Sequence, residues 1–66
     1  MAIAEHDFVA LREKIGKWPA GTTGTVVSDY GDVKQVEISE AEPPGAMLDL
    51  IQVPEADMRL IAKHGR

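Results

Sequence analysis

Residues 19–27 read PAGTTGTVV, and this stretch places two glycines three positions apart directly before a β-branched run. Valine and threonine favour strands, whereas proline and glycine favour turns. We expect residues 18–21 to form a type I turn, with Pro19 second and Gly21 fourth. Gly24 is expected at a positive-φ or bulge position where the chain bends into the next strand. A phosphate loop would need a following helix, so both glycines are predicted to shape the backbone only.

Short apolar runs broken by glycine and proline continue on both sides of this stretch, which is the pattern of a small all-β domain. Gly31 is expected to reverse the chain tightly after the second strand. Pro43 and Pro44 lack backbone donors and are expected in a loop. The first four predicted strands fall in DFVALRE (7–13), TVVSDY (25–30), KQVEISE (34–40) and MLDLIQV (47–53).

The C-terminal segment has two possible structures. Pro54 and Glu55 suit a helix start, so we expect a single helical turn over residues 54–57 followed by a fifth strand, MRLIA (58–62). The alternative is a short C-terminal helix, because Met58 and Ile61 also fit a helical stripe.

The 66 residues form one domain, whose first six residues are expected to fray. A domain of this size buries only about 60% of its unfolded surface. No cysteine is present, so neither a disulfide nor a cysteine-bound metal can add stability. Self-association is therefore an expected source of stability.

The formal net charge is −4, from 11 acidic and 7 basic residues, which argues against a general phosphate-binding surface. The N-terminal residues MAIAEHDF lack the basic and apolar regions of a secretory signal, and no apolar run is long enough to span a membrane. Together with the absence of cysteine, this predicts a cytoplasmic protein with no membrane partner.

The motifs resemble those of a small bacterial family of SH3-like barrels of unknown function, distantly similar to KOW-type barrels. That family has an opening Asp-x-Val-x-Leu strand, a Gly-Thr-hydrophobic-Val strand after a Pro/Gly turn, a Val/Glu strand and a final Pro segment. The matching residues are Asp7, Val9, Leu11, Gly21, Gly24, Thr25, Val26, Val27, Val36, Glu37, Ile38, Val53, Pro54, Met58 and Leu60.

The resemblance implies a five-stranded SH3-like barrel with a helical turn before the last strand. Some members of the family look like accessory proteins of mobile bacterial gene clusters, including integron cassettes. The family has no established reaction, so the resemblance implies a binding module and no catalytic residues.

Residues with catalytic or metal-binding chemistry are few. His6 and His64 could meet if the termini do, but they lack ligand spacing. Asp29 and Asp32 flank a glycine and fit a turn better than a calcium loop. No elbow motif surrounds either serine of the predicted strands. The acidic side chains of the middle segment are expected on a wet strand face: Glu37, Glu40, Glu42 and Asp49. We therefore expect no enzyme activity, cofactor or metal site.

An interface is predicted where MLDLIQV carries apolar residues on both faces. Met47, Ile51 and Val53 alternate with Leu48 and Leu50, so one face fills the core. Leu48 and Leu50 are expected either to cover the open end of the core or to meet a partner. Trp18 is a further candidate, either as an interface anchor or as a plug for the end of the barrel. The predicted interface residues are Trp18, Met47, Leu48, Leu50 and Ile51.

Basic residues concentrate near the two ends of the chain. First and last strands are neighbours in SH3-like barrels, so these basic residues could share one side of the domain. They are Arg12, Lys14, Lys17, Arg59, Lys63 and Arg66. The primary hypothesis is a noncatalytic module that self-associates and binds a protein partner. The alternative is a nucleic-acid-binding module that uses this basic side.

Overall fold

The computed structural model describes residues 3–39 and 45–63. Five strands follow one another, with one short 3₁₀ helix before the last. Pro43 and Pro44 lie outside the described residues. The strands are β1 (Phe8–Leu11), β2 (Thr23–Asp29), β3 (Val33–Ser39), β4 (Met47–Pro54) and β5 (Met58–Ala62), and the 3₁₀ helix is Glu55–Asp57.

The strands form one antiparallel sheet in the order β4-β3-β2-β1-β5. β1 lies between β2 and β5, which is the neighbour relation that the SH3-like resemblance implies. Residues 58–62 form a strand, so the alternative of a C-terminal helix is wrong. The predicted all-β fold, with five strands and one helical turn before the last, is confirmed.

Alternation along the strands builds one hydrophobic core on the inner face of the sheet. Val26 and Val36 pair across β2 and β3, and both are completely buried. A valine buried in this way contributes about 1.5–3 kcal/mol relative to an exposed one. The buried side chains of this core cluster come from all five strands and the N-terminal segment: Ile3, Val9, Leu11, Val26, Val36, Ile38, Val53 and Met58.

Gly24 lies inside β2, and its φ is not positive, so the predicted positive-φ position is wrong. It pairs in regular register with Val9 of β1, whereas the irregular position of β2 falls at Val27. Gly24 is needed for a different reason. A Cβ atom there would lie 2.6 Å from the carbonyl oxygen of Glu37 and 2.7 Å from Val36 Cγ1. The glycine thus permits a close approach between β2 and the neighbouring β3 at this position.

The turn before β2 begins one residue later than expected. Thr22 N–H donates to the carbonyl of Pro19 at 3.2 Å, so the turn comprises residues 19–22 rather than 18–21. Gly21 occupies its third position with φ +91°, as in a type II turn, so the predicted type I turn is wrong. Gly31 has φ +90° and reverses the chain between β2 and β3.

The N-terminal segment packs onto the barrel instead of fraying. Ile3 is only 6% exposed and belongs to the core. Its N–H donates to Glu55 Oε2 at 3.3 Å, and Ala4 N–H donates to the buried Asp7 carboxylate at 2.8 Å. The expectation that residues 1–6 fray is therefore wrong for residues 3–6, because Ile3 covers one end of the core.

Candidate functional site

The largest exposed apolar side chains of β4 form one surface at an edge of the sheet. Met47, Leu48 and Leu50 are 57%, 49% and 43% exposed, and we call these three residues the β4 surface. Ile51, also predicted at the interface, is half-buried against the core. β4 pairs only with β3 among the described strands, so this surface has no neighbouring strand there.

An irregularity in the β3–β4 ladder explains why Met47 belongs to this surface. Ile38 pairs with Asp49, but Ser39 pairs with Met47, which leaves Leu48 as an extra residue. The shift turns Met47 to the outer face, where Ser39 also lies. Strict alternation groups Met47 with Ile51 and Val53 on one face, and that grouping is wrong because the bulge changes the parity of the strand.

Asp49 covers a backbone donor at the β4 edge. Glu55 N–H donates to the carbonyl of Asp32 at 2.7 Å, and this bond continues the β3–β4 ladder. It shows which residue pairs of the ladder are hydrogen-bonded and which are not. Hydrogen-bonded and non-hydrogen-bonded pairs alternate along the ladder, and Glu37 and Leu50 form a non-hydrogen-bonded pair. Leu50 N–H therefore points to the free edge. Asp49 Oδ1 accepts this N–H at 2.8 Å. The carboxylate therefore satisfies a group that would otherwise invite another strand.

Trp18 supports β4 rather than standing free as an anchor. Its ring is half-buried against the core, and Nε1–H donates to Asp49 Oδ2 at 2.8 Å. Lys17 Nζ lies 5.2 Å from the centre of the ring, within cation–π distance. The hydrogen bonds from Trp18 and Leu50 N–H, with the nearby Lys17 charge, lower the pKa of Asp49 below its ordinary value.

Replacing Trp18 by phenylalanine tests this arrangement. The variant keeps an aromatic ring but removes the donor to Asp49, so we expect the pKa of Asp49 to rise towards 3.8. Side-chain carboxyl NMR across an acid titration measures the change. Lys17→Gln is the control, because the more distant Lys17 charge contributes least to this shift and its loss should move the pKa less. An unchanged Asp49 pKa in Trp18→Phe would contradict the role of the indole.

A buried lysine joins the β2–β3 hairpin to the 3₁₀ helix. Lys34 is only 2% exposed, and its ammonium bonds Asp29 Oδ1 at 2.9 Å and Glu55 Oε1 at 3.1 Å. It also donates to the carbonyl of Gly31. Sequence reasoning missed this cluster, although alternation places Lys34 on the same strand face as the buried Val36.

The cluster shifts the pKa values of its members. Burial lowers the pKa of Lys34, but the hydrogen bonds to Asp29 and Glu55 outweigh it, so the pKa is raised. The bond from Lys34, with that from Gly31 N–H, lowers the pKa of Asp29. The bond from Ile3 N–H, followed by that from Lys34, lowers the pKa of Glu55. All three groups are therefore held charged at neutral pH.

The predicted basic side is partly dispersed. Lys63 Nζ bonds the buried Asp7 carboxylate at 2.8 Å, and Lys17 lies against Trp18. Both cations therefore have intramolecular partners, which lowers the charge they can offer to a phosphate backbone.

Two of the predicted basic residues lie at one groove. Arg12 and Arg59 line the same groove beside the 3₁₀ helix. Lys14 is exposed but does not line it, and Arg66 lies outside the described residues. The structure thus places two arginines at one groove, and the other described residues of the predicted basic side do not line it.

The remaining chemical candidates have structural surroundings. His6 Nε2 lies 3.9 Å from Glu5 Oε1, and His64 is outside the described residues. Asp29 Oδ1 accepts the Gly31 N–H at 2.9 Å, as an aspartate does in a turn. Within residues 3–39 and 45–63, no group of three or more histidine and carboxylate side chains is arranged to hold a metal. Glu40 and Glu42 are not described.

Comparison with known proteins adds no family to this geometry. In the described part of the chain, no helix has the length and apolar character needed to cross a membrane. The resemblance to SH3-like bacterial proteins stays a prediction. No protein-family model matches the chain, and no curated protein or solved structure matches it.

Proposed function

We propose that the protein is a noncatalytic protein-interaction module whose first partner is a second copy of itself. The observation that carries this proposal is the β4 surface, where three large apolar side chains between 43% and 57% exposed lie together on an edge strand. Soluble monomers seldom expose such a cluster unless it binds something. The lack of cysteine suits a reducing compartment, so we place the module in the cytoplasm.

The charge of β4 favours a second copy as the occupant. Two copies of a chain with a net charge of −4 repel each other, so a contact between copies requires a surface with little charge. Edge strands commonly carry charges that prevent such pairing. The only charged side chain of β4 is Asp49, which is half-buried and hydrogen-bonded to Trp18. A two-fold contact would set the β4 surface against the same surface of its partner, apolar against apolar.

The contact is proposed to use side chains more than backbone. Asp49 already accepts the Leu50 N–H at the edge, so a paired strand would have to displace it. Packing of Met47, Leu48 and Leu50 against their counterparts requires no such displacement. It would extend a core that is small for a domain without disulfides.

Light scattering after size exclusion at about 10–100 µM tests the self-association. We expect wild type to show about twice the monomer mass of 7.2 kDa. Leu48→Lys and Leu50→Lys should each give the monomer mass, because a charge would then be buried in the contact. Ala62→Lys, at the exposed end of β5 on the opposite edge, is the matched control and should stay dimeric.

Circular dichroism of each variant separates dissociation from unfolding. Native spectra with monomer masses support the proposal. A wild type that is monomeric throughout this concentration range, or leucine variants that stay dimeric, contradicts it.

A further inference from the structure

The groove beside the 3₁₀ helix is a second surface, separate from β4. It has a volume of about 760 Å³ and is open to solvent. Three consecutive β5 residues, Met58, Arg59 and Leu60, line it together with Ile3 and Arg12. Pro54, Glu55 and Ala56 line the groove as well, so it lies between the 3₁₀ helix and the first residues of β5.

The hydrogen bonds of β1 show which β5 groups face this groove. Leu11 N–H donates to the carbonyl of Thr22 at 2.8 Å, and the Leu11 carbonyl accepts Gly21 N–H at 2.8 Å. The N–H and carbonyl of Leu11 therefore face away from β5, so Leu11 and Met58 form a non-hydrogen-bonded pair. The backbone groups of Met58 consequently point to the free edge of β5.

The Met58 groups are already satisfied there. Its N–H donates to the Glu55 carbonyl, and its carbonyl accepts Arg12 Nε at 3.1 Å. Leu60 follows two residues later in regular register, so its N–H and carbonyl face the same edge. No strand lies beyond β5 in the part of the chain that the structure describes, which leaves these two groups open to an added strand.

The charges around the groove favour a carboxylate. Arg12 and Arg59 are exposed, and neither forms an ion pair with a described residue. The charge of the Glu55 carboxylate in the groove is partly offset by Lys34 at 3.1 Å, which also bonds Asp29. Asp32, near one end of β3, is the remaining acidic lining residue. A guanidinium can bind a carboxylate through two parallel hydrogen bonds, which fixes its position.

We propose that this groove binds an extended peptide of another protein, which adds as a strand to β5 at Leu60 and places a carboxylate between Arg12 and Arg59. Main-chain bonds supply part of the affinity, as in other strand-addition complexes, and the arginines select the acidic side chain. This binding goes beyond self-association through β4 and uses the opposite edge of the sheet.

Fluorescence anisotropy with labelled peptides tests the proposal. The first probe is Thr-Val-Glu-Val-Thr with both ends blocked, and the second has glutamine in place of glutamate. The third is the glutamine peptide with a free C-terminal carboxylate. We expect the first to bind at least about tenfold more tightly than the second and the third, because the arginines select a side-chain carboxylate. In an antiparallel pair the residue that bonds Leu60 is a neighbour of the glutamate, because side chains alternate, so N-methylation of both valines should abolish binding.

Variants locate the site. Arg59→Gln should weaken the binding of the preferred peptide about tenfold, whereas Lys14→Gln, an equal change of charge outside the groove, should change it less than about twofold. Leu50→Lys should leave it unchanged, so the two surfaces succeed or fail separately. Amide NMR shifts on peptide addition should be largest at Arg59 and Leu60.

Three outcomes would overturn the proposal. They are affinities weaker than about 1 mM for all three peptides, equal losses in Arg59→Gln and Lys14→Gln, and shifts confined to β4. If oligonucleotides bind and displace the peptide with a steep salt dependence, the arginines serve nucleic acid instead.

Discussion

Replacing Lys34 by alanine is expected to lower the free energy of unfolding by about 3 kcal/mol. The substitution removes the ammonium that bonds Asp29, Glu55 and the Gly31 carbonyl, and it leaves a cavity where the stem was buried. In a domain of this size the loss corresponds to a melting temperature lower by about 12–24 °C, measurable by calorimetry. The loss is below the maximum for a buried charge pair because both carboxylate side chains are more than one third exposed and can be hydrated.

Two further variants separate charge from packing. Lys34→Met keeps the aliphatic stem and should lose about half as much stability as the alanine variant. Lys14→Ala removes an exposed lysine and should change the free energy of unfolding by less than about 0.5 kcal/mol. If Lys34→Ala melts at the same temperature as Lys14→Ala, the buried cluster does not stabilise the fold.

The pH dependence of wild-type stability should carry the signature of the same cluster. The lowered pKa values of Asp29 and Glu55 add stability above their ordinary values of 3.8 and 4.5, and this stability is lost as pH falls through the folded values. The raised pKa of Lys34 adds stability below 10.5, which is lost as pH rises through its folded value. Urea unfolding from pH 2 to 11 should show both losses in wild type, and the alkaline loss should disappear in Lys34→Met.

Alternation predicts much of this fold because most strands are regular. Val36 and Ile38 lie on the buried face of β3 as their spacing requires, and Glu37 lies between them on the outer face. The helical turn after Pro54 was also predictable, because proline fixes the backbone there and ends β4. These features depend on local sequence, so one sequence contains the information for them.

The errors occur where two distant segments decide the structure. The bulge at Leu48 follows from the pairing of β3 with β4, and no residue of β4 alone signals it. The bond from Trp18 to Asp49 joins residues 31 positions apart. Lys34 was the exception, because its spacing from Val36 already placed it on the inner face. A lysine at such a position requires buried acceptors, and that signal could have identified the cluster.

The same limit applies to the candidate surfaces. Composition identified the apolar excess of β4, and the structure leaves Met47, Leu48 and Leu50 exposed while it half-buries Trp18 and Ile51. The shared side of Arg12 and Arg59 was predicted from the sequence, but the groove at β5 was not, because it depends on which backbone groups face the edge.

Replacing Gly24 by alanine is expected to destabilise the fold by about 3 kcal/mol. Glycine inside a strand ordinarily costs about 0.5–1 kcal/mol relative to alanine, so without crowding the substitution would be stabilising. The sign of the change therefore decides whether close approach determines this position. Urea unfolding measures it, and Thr23→Ala, at the exposed neighbouring position of β2, is the control with an expected change below about 0.5 kcal/mol.

A second-site variant tests how much of the crowding comes from Ile38. The new Cβ would lie 3.0 Å from Ile38 Cδ1, a side-chain end that Ile38→Val removes, and 2.6 Å from the Glu37 carbonyl, which no side-chain change removes. Gly24→Ala combined with Ile38→Val should therefore recover little stability. Full recovery would assign the crowding to the isoleucine alone. A more stable Gly24→Ala variant would show that β2 and β3 can move apart without a loss of stability. That result would contradict the close backbone approach at Gly24.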